Sequence, residues 1–165
     1  MNDDVLALAT AVLDACRRRG LMIATAESCT GGLVAAALTE IAGSSDVVDR
    51  GFVTYSNAAK QQVLRVPADI LRNHGAVSRE TAEAMARGAV AASAADIAVA
   101  ITGIAGPGGG SDGKPVGLVH FAVAARGGAL AAEEMRYGAL GRAQVRYKSV
   151  LQALSMLRAM AERSS

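Results

Sequence analysis

Leu21-Met22-Ile23-Ala24-Thr25-Ala26-Glu27-Ser28-Cys29-Thr30-Gly31-Gly32-Leu33 decides how the chain is read. The largely apolar run 21–26 predicts a short buried strand, and a helix is expected to open near Thr30. Glu27, Ser28 and Cys29 then fall where a strand hands over to a helix. Such a junction presents side chains and a row of backbone N–H groups at one point. Two potential nucleophiles lie there, beside a carboxylate and two glycines.

Outward from this stretch, hydrophobic spacing predicts helices over 3–19, 31–41, 79–94 and 141–161, with short helices over 58–64 and 68–73. Asp3 and Asp4 suit the first turn of the first helix, and Gly20 its C-terminal cap. Ser56 or Asn57 is placed to cap 58–64, and Ser78 to cap 79–94. Strands are predicted over 48–55, 97–102, 116–125 and 129–136. Residues 97–102, Ile-Ala-Val-Ala-Ile-Thr, lack polar alternation, as expected of a strand covered on both faces. The last two strands are expected to pair antiparallel across Arg126-Gly127-Gly128. This order predicts an α/β fold, a single three-layer α/β/α domain over 1–165 with a mixed, mostly parallel sheet.

Composition narrows the function classes. Hydrophobic residues make up 52% and charged residues 19% of the chain, enough apolar surface for a real core. Alanine supplies 36 residues and glycine 18, which favours close packing of helices on a sheet. The net charge of +2 and an aromatic content of 3% argue against a nucleic-acid surface. Two cysteines provide neither a disulfide framework nor metal-ligand spacing. No run is long and apolar enough for a membrane helix, and the N-terminus lacks a signal-peptide pattern, so a cytoplasmic location is expected.

Ser28 is the first candidate for chemistry. A serine needs a base to become nucleophilic and nearby N–H donors to hold an oxyanion. The Thr30-Gly31-Gly32 turn is a source of such donors; equally, Ser28 or Thr30 can simply cap the helix. Gly-x-Ser-x-Gly is absent. The two histidines, His74 and His120, have no acidic partner in sequence, so a histidine triad is disfavoured. Lys60 and Tyr55 follow strand 48–55 and would lie near the same sheet edge as Ser28. An enclosed lysine can act as a general base, with Tyr55 relaying the proton or orienting the lysine; the alternative for Lys60 is a solvent-facing side chain.

The segment Thr102-Gly103-Ile104-Ala105-Gly106-Pro107-Gly108-Gly109-Gly110 follows a buried strand and so also sits where α/β crevices form. It can cradle a phosphate or carboxylate, or be a plain crossover. Neither a Walker A loop nor a dinucleotide fingerprint fits it. Arg142 and Arg146 open the last helix and can bind phosphate, or pair with Glu133 or Glu134. No metal site is suggested; Asp112 lacks companion ligands.

These stretches together resemble one family. Ala26-Glu27-Ser28-Cys29-Thr30-Gly31-Gly32, Gly51-Phe52-Val53-Thr54-Tyr55-Ser56-Asn57 with Lys60, and His74-Gly75-Ala76-Val77-Ser78 are similar, in order, to motifs of the CinA C-terminal domain family. Thr102-Gly103-Ile104-Ala105-Gly106-Pro107-Gly108-Gly109 and Lys114-Pro115-Val116-Gly117 extend the likeness over nearly the whole chain. The resemblance implies a compact α/β/α fold, commonly dimeric. It also implies hydrolysis of the carboxamide of nicotinamide mononucleotide to nicotinate mononucleotide and ammonia, without a cofactor. On the matching positions, Ser28 is the nucleophile, Lys60 the base and Tyr55 its assistant. Thr102 and Arg142 fall at positions associated with the active site or substrate. Thr30, Gly31, Gly32, Gly103, Ile104, Ala105 and Gly106 complete the expected substrate contacts. Larger relatives carry a further N-terminal domain with no counterpart in 1–165, which favours a stand-alone amidase. The alternative is a weak or inactive accessory member that binds a pyridine nucleotide.

Overall fold

The computed structural model describes residues 1–163. Helix α1 (Asp3–Arg19) leads into strand β1 (Ile23–Glu27), helix α2 (Leu33–Thr39) and strand β2 (Val48–Val53). Helices α3 (Asn57–Leu64), α4 (Ala68–His74) and α5 (Arg79–Ala91) follow. Strands β3 (Ile97–Gly103), β4 (Leu118–Ala125) and β5 (Leu130–Arg136) precede the long helix α6 (Arg142–Glu162).

The five strands form one sheet in the order β2-β1-β3-β4-β5. β2, β1 and β3 run parallel, and β4 and β5 add to β3 as an antiparallel hairpin. The sheet is therefore mixed, as expected. β1 and β3 are buried along nearly their whole length, which is why both read as apolar runs.

Alternation along the strands divides the core. On one face Ile23, Val99, Ile101, Val119, Phe121 and Val123 pack against α1, α2 and α6. On the other, Ala24, Ala26, Ala98, Ala100, Ala122 and Ala124 pack against α5, with Leu64 and Leu71 brought in from α3 and α4. This second face is a layer of alanine methyls, so helix and sheet approach closely. The same closeness recurs between α3 and α5, where a Cβ added to Gly88 would lie 2.0 Å from the Leu64 carbonyl oxygen.

Boundaries differ from expectation mainly at the first junction. β1 continues to Glu27 and α2 starts only at Leu33, because Gly31 and Gly32 take positive φ of 59° and 105° and turn the chain before it coils. Elsewhere the predicted elements are present with ends shifted by a few residues. Ser56 and Ser78 cap α3 and α5 by accepting the Ala59 and Thr81 amides. Cys16 is fully buried on α1, as its helical position implied. Among the described residues, no helix is long and apolar enough to cross a membrane.

Candidate active site

Three adjacent parallel strands end at one edge of the sheet. β1 delivers Ser28, β2 the segment leading to Tyr55 and α3, and β3 delivers Thr102 and the glycine-rich loop. Such an edge is where open α/β sheets form ligand crevices. Here Ser28, Cys29, Tyr55 and Lys60 line a cavity of about 260 Å³ together with Ala76, Val77, the 102–109 loop and Arg142.

Ser28 continues the alternation of Ala24 and Ala26 and so belongs to the α5 side. Lys60 reaches it from the first turn of α3. Its side chain is 1% exposed, one of the largest fully buried side chains of the protein. The Lys60 Nζ lies 2.9 Å from Ser28 Oγ, 2.8 Å from the Thr54 carbonyl and 3.1 Å from the Tyr55 carbonyl. Loss of water on burial pushes its pKa down from 10.5 to about 8. The solvent-facing alternative for Lys60 is thus excluded.

The three contacts direct all three hydrogen-bonding positions of the lysine nitrogen. As an ammonium, Lys60 donates one N–H to each carbonyl and the third to Ser28 Oγ; loss of that third proton leaves a lone pair directed at the Ser28 hydroxyl. A serine beside such a lone pair can give up its proton. Cys29, by contrast, is packed into the apolar core on the α1/α6 side, and burial raises its pKa to about 12. It stays a thiol and a poor nucleophile.

The junction itself is held by a residue whose part sequence reasoning missed. Neither Ser28 nor Thr30 caps α2. The carboxylate of Glu27, fully buried, accepts the Gly32 amide at 3.2 Å, the Val34 amide at 2.9 Å and the Ala35 amide at 3.0 Å. It also accepts the Thr25 hydroxyl at 3.2 Å. A negative charge at a helix N-terminus is favourable. The available signal was Gly32 itself, an N-cap position with no side chain, which requires an outside acceptor for the first amides.

Arg142 donates to the Gly106 carbonyl at 3.0 Å and to the Tyr55 hydroxyl at 2.9 Å. It thereby ties the glycine-rich loop to the segment after β2. Tyr55 is 59% exposed and stands at the rim. Arg146, one turn on, donates through Nε to the Cys29 carbonyl at 3.1 Å and through Nη2 to the Thr30 carbonyl at 3.3 Å. Neither arginine pairs with Glu133 or Glu134, the alternative open from sequence. Thr102 Oγ1 donates to the Ala76 carbonyl at 2.8 Å and so fixes the wall made by Ala76 and Val77.

Of the expected contact residues, Thr102, Gly103, Ile104, Ala105, Gly106 and Arg142 line the cavity. Thr30, Gly31 and Gly32 form the turn beside it without lining it. The histidines lie elsewhere: His74 Nδ1 is 3.5 Å from Glu80, and His120 Nε2 is 3.6 Å from Glu134. Burial lowers the His120 pKa. The described residues contain no cluster of three or more His, Cys, Asp or Glu able to hold a metal ion.

Comparison with known proteins gives a consistent outcome. Residues 5–161 match the model of the CinA C-terminal domain family. A CinA-like protein of Synechococcus sp. (strain RCC307) is 53% identical over 158 residues, which are 95% of this chain and 37% of that protein. A CinA-like protein of Mycolicibacterium vanbaalenii is 55% identical over 139 residues, 84% of this chain and 33% of the relative. The chain thus spans little more than a third of the length of these curated relatives. Among solved structures, the competence/damage inducible protein CihA from Agrobacterium tumefaciens superposes with a TM-score of 0.95 at 57% identity, covering 97% of each chain. A CinA superfamily protein from Klebsiella pneumoniae superposes with a TM-score of 0.92 at 40% identity, covering 99% of this chain and 100% of that one.

Proposed function

The chain belongs to the CinA C-terminal domain family, and from that membership and the geometry at Ser28 we propose that it hydrolyses the carboxamide of nicotinamide mononucleotide. The products are nicotinate mononucleotide and ammonia. The observation that carries this function is the 2.9 Å contact of Ser28 Oγ with a buried lysine nitrogen whose other two partners are carbonyls.

Neutral Lys60 takes the hydroxyl proton as Ser28 Oγ bonds to the amide carbon. The carbonyl π pair moves onto oxygen, and backbone N–H groups of the junction hold it. The tetrahedral adduct collapses, the C–N bond breaks, and the Lys60 ammonium protonates the departing nitrogen to release ammonia. An ester on Ser28 remains. Water then attacks it, Lys60 takes the water's proton, the C–O bond to Ser28 breaks, and the proton returns to Oγ. The sum is amide plus water to acid plus ammonia, and Lys60 is restored after each half.

Tyr55 contributes its main-chain carbonyl, which orients the Lys60 nitrogen, and its phenol, which holds Arg142. The cavity lining favours an anionic substrate, since it includes Arg142 and no acidic side chain. The backbone N–H groups of Ala105, Gly106, Gly108 and Gly109, with Arg142, are suited to the ribose phosphate. No metal is needed in this sequence of steps, because the lysine and the amides cover proton transfer and charge.

Ammonia release from nicotinamide mononucleotide, measured beside nicotinamide and the full dinucleotide, tests the activity. Turnover of the mononucleotide is expected, with a drop of roughly 10⁴-fold or more in Ser28→Ala. Tight binding with no ammonia released would instead identify a non-catalytic binder.

A further inference from the structure

The turn after Ser28 leaves few amides unengaged. The Ser28 N–H donates to the Ile101 carbonyl, Gly31 to Ser28 and Leu33 to Thr30, while the Gly32, Val34 and Ala35 amides go to Glu27. The Cys29 amide, the first after the nucleophile, has no acceptor among the described residues. The Thr30 amide likewise has none.

The carbonyl of the same peptide, that of Cys29, is held by Arg146 Nε at 3.1 Å. In a planar trans peptide the C=O and N–H point in opposite directions. Arg146 reaches the turn from α6, which packs on the face of the sheet opposite Ser28 and Lys60. Holding the carbonyl on the α6 side therefore directs the Thr30 N–H to the side of the nucleophile. A guanidinium on that carbonyl also polarises the peptide and strengthens its N–H as a donor. The second bond, from Nη2 to the Thr30 carbonyl at 3.3 Å, keeps the next peptide from swinging.

We infer that Arg146 is a positioning residue that aims the Thr30 amide at the oxyanion formed when Ser28 attacks a carbonyl. This inference rests on the serine–lysine chemistry proposed above. Arg146 does not line the cavity, so it acts through the Cys29–Thr30 peptide and not on the substrate.

The test separates this role from the choice of substrate by using p-nitrophenyl acetate. Ser28 Oγ bonds to the acetyl carbon, the aryl C–O bond breaks, p-nitrophenolate departs, and the serine proton goes to Lys60. The burst of p-nitrophenolate gives the acylation rate. Arg146→Ala is expected to slow acylation about 10- to 100-fold. Its affinity for a pyridyl boronic acid, which adds to Ser28 as a tetrahedral anion, should fall by a similar factor. Affinity for nicotinate mononucleotide and the midpoint of the acylation pH profile, set by Lys60 near 8, should stay unchanged. Arg146→Lys should recover part of the rate by occupying one of the two carbonyls.

Unchanged acylation in a folded Arg146→Ala overturns the assignment. So does an equal loss of product affinity, or a shifted pH midpoint, either of which would mean general disruption of the site. If circular dichroism shows that Arg146→Ala does not fold, Arg146→Lys carries the test, and wild-type rates in that variant overturn the assignment. A wild-type protein that acylates yet leaves the mononucleotide intact would refute the proposed substrate alone. One that does not acylate refutes both.

Discussion

The two faces of the sheet are built from different residues. The α1/α6 face uses Leu13, Ile23, Ile101, Phe121, Leu154 and Leu157, large side chains that bury much apolar area. The α5 face is mostly alanine, with Gly88 at the place where α5 meets α3. Large side chains tolerate small shifts by repacking, whereas methyl against methyl leaves no slack. The putting together of Ser28 and Lys60 occurs on the alanine side. There the position of α3 is set by close contact with α5, so the lysine nitrogen arrives at a fixed distance from the serine. One face supplies burial, and the other supplies position.

The strongest perturbation of the positional side is at Lys60 itself. With the lysine as base, kcat/KM should rise with pH through about 8 and level off above it. Lys60→Arg keeps the charge but cannot supply a neutral base, and roughly 10³-fold loss is expected at pH 8. Substantial activity in that variant with unchanged substrate affinity would show that Lys60 acts only as a charge.

Gly88→Ala probes the same face without touching the site. The new methyl would lie 2.0 Å from the Leu64 carbonyl oxygen, so α3 must move. A loss of stability of about 1–3 kcal/mol is expected. With it should come roughly a tenfold or greater fall in kcat as Lys60 leaves Ser28. Wild-type kcat in this variant would show that the α3–α5 contact does not set the lysine.

Phe121→Ala sharpens the contrast from the other face. Removing a fully buried ring should cost about 3–5 kcal/mol of stability, read from denaturant unfolding. Turnover measured well below the unfolding transition should barely change. A large fall in kcat there would mean that the two faces are coupled.

The sequence made the element order legible because β1 and β3 are short, largely apolar runs without strand alternation and the helices repeat at 3.6 residues. It also made the pairing of Ser28 with Lys60 a fair expectation, since adjacent parallel strands end at one edge. Glu27 was visible only as a neighbouring carboxylate. The amides that donate to it lie five to eight residues ahead across a double-glycine turn, outside the usual capping-box spacing. Arg146 contacts residues 116 and 117 positions away, and no local pattern encodes such a bond. The histidine partners Glu80 and Glu134 were hidden for different reasons. The first lies on the next helix, and the second depends on the β4–β5 register that sets His120 opposite Glu134.

The buried Lys60 also makes the fold less stable than it need be. A pKa of about 8 in the folded chain against 10.5 in the free side chain means that the unfolded state holds the proton more tightly. At neutral pH the displacement corresponds to roughly 3 kcal/mol against folding. Between about 8 and 10.5 the unfolded state binds more protons, so stability should rise with pH over that window, apart from other groups. Below it both states are protonated and the full penalty remains; above it both are neutral and the penalty is gone. Lys60→Met, which fills similar space without a charge, should therefore raise the denaturant midpoint at pH 7 while abolishing turnover. Equal or lower stability in that variant would show that the two carbonyls and the serine already compensate the buried amine.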